Sequence, residues 1–112
     1  MKLSEVKEIL NAKVLTGEEF LDKEVNSACG CDLMSDVLAF VKDKALLLTG
    51  LMNPQVIRTA EMMDIEAIVF VRGKIPDDAI IGMAKMKDIT LMTTENPLFV
   101  SSGMLYSKGL HN

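Results

Sequence analysis

Tryptophan is absent from this chain, and tyrosine and histidine occur once each, as Tyr106 and His111. The rings that stack on nucleobases and the imidazoles that carry most general acid–base chemistry are therefore nearly missing. Basic residues are in the minority, 12 Lys and Arg against 16 Asp and Glu, for a net charge of −4. A groove that neutralises phosphates needs the opposite balance, so nucleic acid is not an expected partner. Two cysteines are too few for a disulfide framework, and the expected compartment is the reducing cytoplasm. The longest uncharged stretch, Ala45 to Ile57, is interrupted by Asn53, Pro54 and Gln55, which is no membrane span. The start, Met1 to Glu5, turns acidic at once and has no apolar segment of a secretory signal.

What is present is an ordinary globular balance, 49% hydrophobic and 25% charged, in 112 residues. A chain of this length is one domain and buries roughly 65% of its unfolded surface. Nine Met stand out. They suit either a soft core or helix faces that meet a second chain.

Leu3, Val6, Ile9 and Leu10 recur at helical spacing, then Lys13-Val14-Leu15 reads as a short strand stopped at Thr16-Gly17. Gly17 to Asp22 reads as a turn, and Val25 to Cys31 as extended chain with Val25 and Ser27 on one face and Ala28 on the other. Asp32 or Ser35 is the expected cap of a helix striped by Met34, Val37, Leu38 and Val41. Three apolar runs follow, Ala45–Thr49, Ala67–Val71 and Ile89–Thr93, as expected of strands covered on both faces. Between and after them come helix starts at Asn53-Pro54, Pro76-Asp77-Asp78 and Asn96-Pro97. The last helix runs through Phe99, Val100, Gly103, Leu105 and Tyr106. Strands alternating with helices predict a single α/β domain with a mainly parallel sheet of roughly four to six strands.

The turn Thr49-Gly50-Leu51-Met52-Asn53-Pro54 leaves a buried strand and enters a helix, where free N–H groups and the dipole favour an anion. Arg58 and Arg72 lie towards the same edge and are suited to clamp a phosphate or carboxylate. Set against this, the loop has one glycine and no lysine, so it is neither a P-loop nor a dinucleotide fingerprint. Thr49 and Asn53 serve equally well to close and cap the turn, and Arg58 to pair with Glu61 or Asp64. Cys29-Gly30-Cys31 points two thiols one way, but zinc needs further ligands, and small half-buried hydrophobes are the simpler account. No nucleophile elbow and no placed acid–base pair is visible, so no catalytic residue, metal or cofactor is expected.

Ala28 to Ala39 and Leu48 to Ala60, with Ala67 to Lys74, Pro76 and Ile89 to Thr94, resemble stand-alone members of the DRTGG domain family. The resemblance runs from Lys2 to about Leu110, although the five-letter motif that names the family does not occur. It implies a regulatory or dimer-forming module of the kind found beside CBS-domain pairs in regulated pyrophosphatases, with no catalytic residues.

The leading expectation is a non-catalytic regulatory and oligomerisation module acting on a partner protein. The alternative is a sensor of a nucleotide or other anion at Thr49, Gly50, Asn53, Arg58 and Arg72; an enzyme ranks third. A homodimer is expected, with contact through Ile80, Ile81 and Met83, because the stripe after Pro76 is wider than one sheet face requires.

Overall fold

The three buried runs form the middle of one five-stranded sheet, ordered β1-β5-β4-β3-β2. The computed structural model describes residues 1–111. The strands are β1 (Lys13–Thr16), β2 (Ser27–Gly30), β3 (Ala45–Thr49), β4 (Ala67–Phe70) and β5 (Thr90–Thr93). Parallel pairing joins β2 to β3, β3 to β4 and β4 to β5, while β1 runs antiparallel to β5 at the edge. The helices are α1 (Leu3–Leu10), α2 (Met34–Phe40), α3 (Pro54–Met62), α4 (Asp78–Met86) and α5 (Leu98–Ser107), with one 3₁₀ turn at Glu18–Phe20. The expected fold class is thus the observed one.

Burial explains why β3, β4 and β5 carry no polar alternation, since every residue in them is buried. Leu47, Ile68, Phe70 and Leu91 point to one face, where they pack with Met34, Val37, Val56, Ile57, Ile80 and Ala84 from α2, α3 and α4. Leu46, Leu48, Val69 and Met92 point to the other, against Leu3, Val6, Leu10 and Leu105 from α1 and α5. Each strand therefore sends successive side chains to opposite cores, as the period of two requires.

Two of the expected helix starts are as read. Asn53 caps α3 by accepting from the Gln55 N–H at 2.8 Å, with Pro54 at the first helical position. Asp77 caps α4 through Ile80 N at 3.0 Å, so only Asp78 lies inside its first turn. Two others differ. The cap position of α2 is Leu33, which bonds no side chain to the helix, because Asp32 is drawn to the turn after β3. Asn96 does not cap α5, whose cap position is Pro97; its Nδ2 donates instead to Leu10 O at 3.3 Å. Thr94 Oγ1 donates to the same carbonyl at 2.7 Å, so two side chains close the last turn of α1.

Some side chains also lie on other faces than expected. Val25 precedes β2 and packs in the same cluster as Ala28, not opposite it, and Leu38 points outward from α2. On α4, Ile80 is only 3% exposed and belongs to the core, while Ile81 and Met83 are half-buried against it. Ile80 is therefore closed to an outside partner: α4 covers both β1 and β5, and that double footprint uses the wide stripe. Of the apolar positions named on α5, Leu105 is buried, while Phe99, Val100 and Tyr106 are exposed.

Candidate functional site at the carboxyl edge of the sheet

The parallel register sets Gly30 beside Leu48 and Thr49 beside Phe70, so the segments that leave β2, β3 and β4 meet at one edge. There Asp32 reaches across to the turn after β3. Its Oδ1 accepts from Gly50 N at 2.7 Å and from Thr49 Oγ1 at 2.9 Å. The Thr49 hydroxyl in turn accepts from Leu51 N at 3.1 Å. The turn's hydroxyl and leading N–H are thus engaged by the protein's own carboxylate, in the place an external anion would take.

Two cations surround that carboxylate. Lys74 Nζ donates to Gly50 O at 3.2 Å. Arg72 extends alongside Gly50, where an added Cβ would sit 3.0 Å from its Nη2 and 3.7 Å from Asp32 Oδ2. Glycine at position 50 is thus a matter of close approach by a guanidinium. Arg72 and Gly73 both have positive φ, 59° and 67°, and Lys74 N bonds back to Val71 O at 3.3 Å, which closes a tight turn after β4. A left-handed arginine is strained by about 1 kcal/mol. Here Arg72 N donates to Asn96 O at 3.0 Å and Gly73 N to Thr94 O at 2.7 Å, which holds it so.

The Gly50 N–H bond holds the Asp32 carboxyl below its ordinary value of 3.8; partial burial opposes this, while Thr49, Arg72 and Lys74 add to it. Because the folded value is depressed, the stabilisation is present above the ordinary value and is lost as pH falls through the folded one. Asp32→Asn keeps an acceptor for Gly50 N but removes the charge. Its cost at pH 7 is expected to be about 1 kcal/mol or less, since the site is solvent-screened. Urea midpoints of variant and parent should converge as pH is lowered below 3.8; a gap that persists in acid would mean the charge is not what matters.

Of the residues expected here, Thr49, Gly50 and Arg72 are brought together. Asn53 follows in the same loop, with its side-chain oxygen committed to the cap of α3. Arg58 projects exposed from α3, and Glu61, its suggested partner, pairs instead with Lys87 at 2.7 Å. Asp32 and Lys74 were not expected in the site, and they carry most of its contacts. Cys29 and Cys31 are half-buried against the core, and burial, with Cys31 and Asp36 nearby, raises the Cys29 thiol above its ordinary range. No three His, Cys, Asp or Glu side chains converge as a metal site among the described residues. At the opposite, amino edge an open charged groove of about 530 Å³ is bridged by the Lys23–Glu66 and Lys87–Glu61 pairs.

The strand order bears on what such an edge can hold. From β2 to β5 the parallel strands follow one another in sequence, and α2, α3 and α4 all cover the same face. There is consequently no point within the parallel part where successive crossovers diverge and open a crevice, the usual ligand position in open α/β sheets.

Residues 5–107 match the family model of the DRTGG domain. The chain belongs to the DRTGG domain family. Among solved structures, this DRTGG domain is similar to the CBS and DRTGG domains of the regulatory region of Clostridium perfringens pyrophosphatase, complexed with its activator, diadenosine tetraphosphate. The TM-score is 0.73 over 93% of this chain, at 19% identity, which is a likeness of fold. The DRTGG chain spans 45% of that structure's length, less than half. No curated protein matches the sequence. Among the described residues, no helix is long and apolar enough to cross a membrane.

Proposed function

We propose that this DRTGG domain is a non-catalytic regulatory and oligomerisation module, a cytoplasmic homodimer that acts on a partner protein. The observation that carries the reading is the family match over 5–107, together with a fold neighbour whose DRTGG domain lies in a regulatory region. The carboxyl edge supports it from the physical side. Asp32 fills the turn that would otherwise offer free donors, and the sheet has no diverging crossovers there.

A second reading, a nucleotide or anion sensor, is favoured by Arg72 and Lys74, which flank Gly50 at that edge. An incoming phosphate would have to compete with the Asp32 carboxylate for the same donors. Titration calorimetry with AMP, ATP and diadenosine tetraphosphate separates the two. Absence of heat from all three fits the module. Binding abolished by Arg72→Ala and strengthened by Asp32→Asn would establish the sensor and displace the first reading.

A further inference from the structure

α5 runs for ten residues, Leu98–Ser107, without a charged side chain. One arc of it seals the sheet, with Ser101 and Leu105 buried. The other arc holds Phe99, 88% exposed, and Tyr106, 61% exposed. At 3.6 residues per turn, Phe99, Gly103 and Tyr106 fall within about 60° of one another. Beside them Ile9 of α1, Val100, Gly103 and Met104, with Ser107 and Lys108, border an open, mainly apolar groove of about 460 Å³. A helix that carries no charge and exposes large apolar side chains opposite its buried stripe is commonly covered on that side too, although Ser102 and Ser107 also lie on α5. Among the described residues, the His111 ring, 4.3 Å from that of Tyr106, covers part of the outer arc of α5, and Phe99 and most of Tyr106 stay exposed.

We infer that this face pairs with the same face of a second copy, α5 against α5 and antiparallel, about a two-fold axis close to Gly103. The inference rests on the reading of the chain as an oligomerisation module and places its contact. Symmetry comes first. An antiparallel alignment centred between Ser102 and Gly103 sets Phe99 of each copy opposite Tyr106 of the other, giving two aromatic pairs from one contact. Gly103 lies at the crossing, where an added Cβ would meet nothing within 4 Å, so the helices can approach closely.

Charge selects the same partner. Two copies each carrying −4 repel over most of their surfaces, and a face with no acidic residue in its lining and Lys108 alone at its border is where they can meet with few opposing like charges. Area agrees as well. Phe99 and Tyr106 expose roughly 300 Å² between them, over a third of the about 800 Å² each partner buries in a stable interface. Val100, Met104 and Ile9 continue the patch. The face of α4 lacks this character, since Ile80 is buried and Asp78 and Lys85 lie on the helix.

Light scattering on the full chain at tens of micromolar, with melting curves to verify folding, tests this. The expected mass for the parent is twice 12.3 kDa. The double variant Phe99→Glu, Tyr106→Glu alters only exposed positions and is expected to fold and run as a monomer, its dimer weakened at least about a hundredfold. Met86→Glu, equally exposed on α4, is expected to remain dimeric. A dimeric parent with a dimeric α5 double variant would overturn the placement on α5 and leave the oligomerisation reading standing. A monomeric parent would overturn both.

Discussion

Phe70→Ala is expected to lower the unfolding free energy by about 3 to 5 kcal/mol. Phe70 has no exposed surface and sits on β4, the middle strand of the five. Its register partners are Thr49 and Thr93, so it lies directly under the carboxyl edge, between α3 and α4 on one side and the strands on the other. Removing the ring forfeits its transfer free energy and leaves a cavity that β3 and β5 cannot close, because both are held by ladders on each side. Against a total of roughly 5–15 kcal/mol for a domain, that is a third or more of the stability. Urea unfolding should show a lower midpoint with an unchanged slope. A cost below about 1 kcal/mol would mean that the core beneath the edge is loosely packed.

Gly17→Ala is the second large effect, expected at about 2 to 4 kcal/mol from positive-φ strain and steric overlap together. Gly17 has φ 84°, and a Cβ there would lie 2.6 Å from Thr90 Oγ1 and 2.7 Å from Thr90 Cα. The side chain can turn away; the backbone of β5 cannot. Thr90 Oγ1 also donates to Gly17 O at 3.1 Å, a bond that separating the two segments would break. The damage should concentrate on β1, the antiparallel edge strand whose register already shifts between Val14 and Thr16. Gly109→Ala is the control, since its φ is 104° but nothing lies within 4 Å of an added Cβ. It should cost only about 1 kcal/mol from strain. Hydrogen exchange should quicken at β1 in Gly17→Ala and not in Gly109→Ala. Equal costs for the two would show that the Thr90 contact is not limiting.

The regulatory reading and the edge geometry meet at Asp32. The Asp32 carboxylate occupies the Gly50 N–H and the Thr49 hydroxyl of its own neighbouring turn, so an external anion would have to displace it. Such an edge is well suited to hold a shape, while the uncharged arc of α5 offers a surface to be covered. The two features lie on different elements and are open to separate mutation.

The sequence by itself determined the fold class and the family. Strands covered on both faces must be continuously apolar, so Ala45–Thr49 and Ala67–Phe70 were legible as buried strands without any partner in view. Asn53-Pro54 marked the start of α3, because a cap and the proline that follows it act within three residues. Tertiary structure alone decided where the remaining polar groups went. Asp32 lies 17 residues from Thr49, and only the pairing of β2 with β3 brings them together, so a local rule read it as a helix cap. Asn96 looked like a second cap for the same reason, yet it closes a helix 86 residues away. The apolar stripe of α4 and the apolar residues of α5 look alike in sequence, because periodicity records which residues are apolar and not what covers them. Packing separated the two: α4 lies over β1 and β5 and sinks Ile80 and Ala84, whereas α5 lies over β2 and β3, sinks Ser101 and Leu105, and leaves Phe99 and Tyr106 outside.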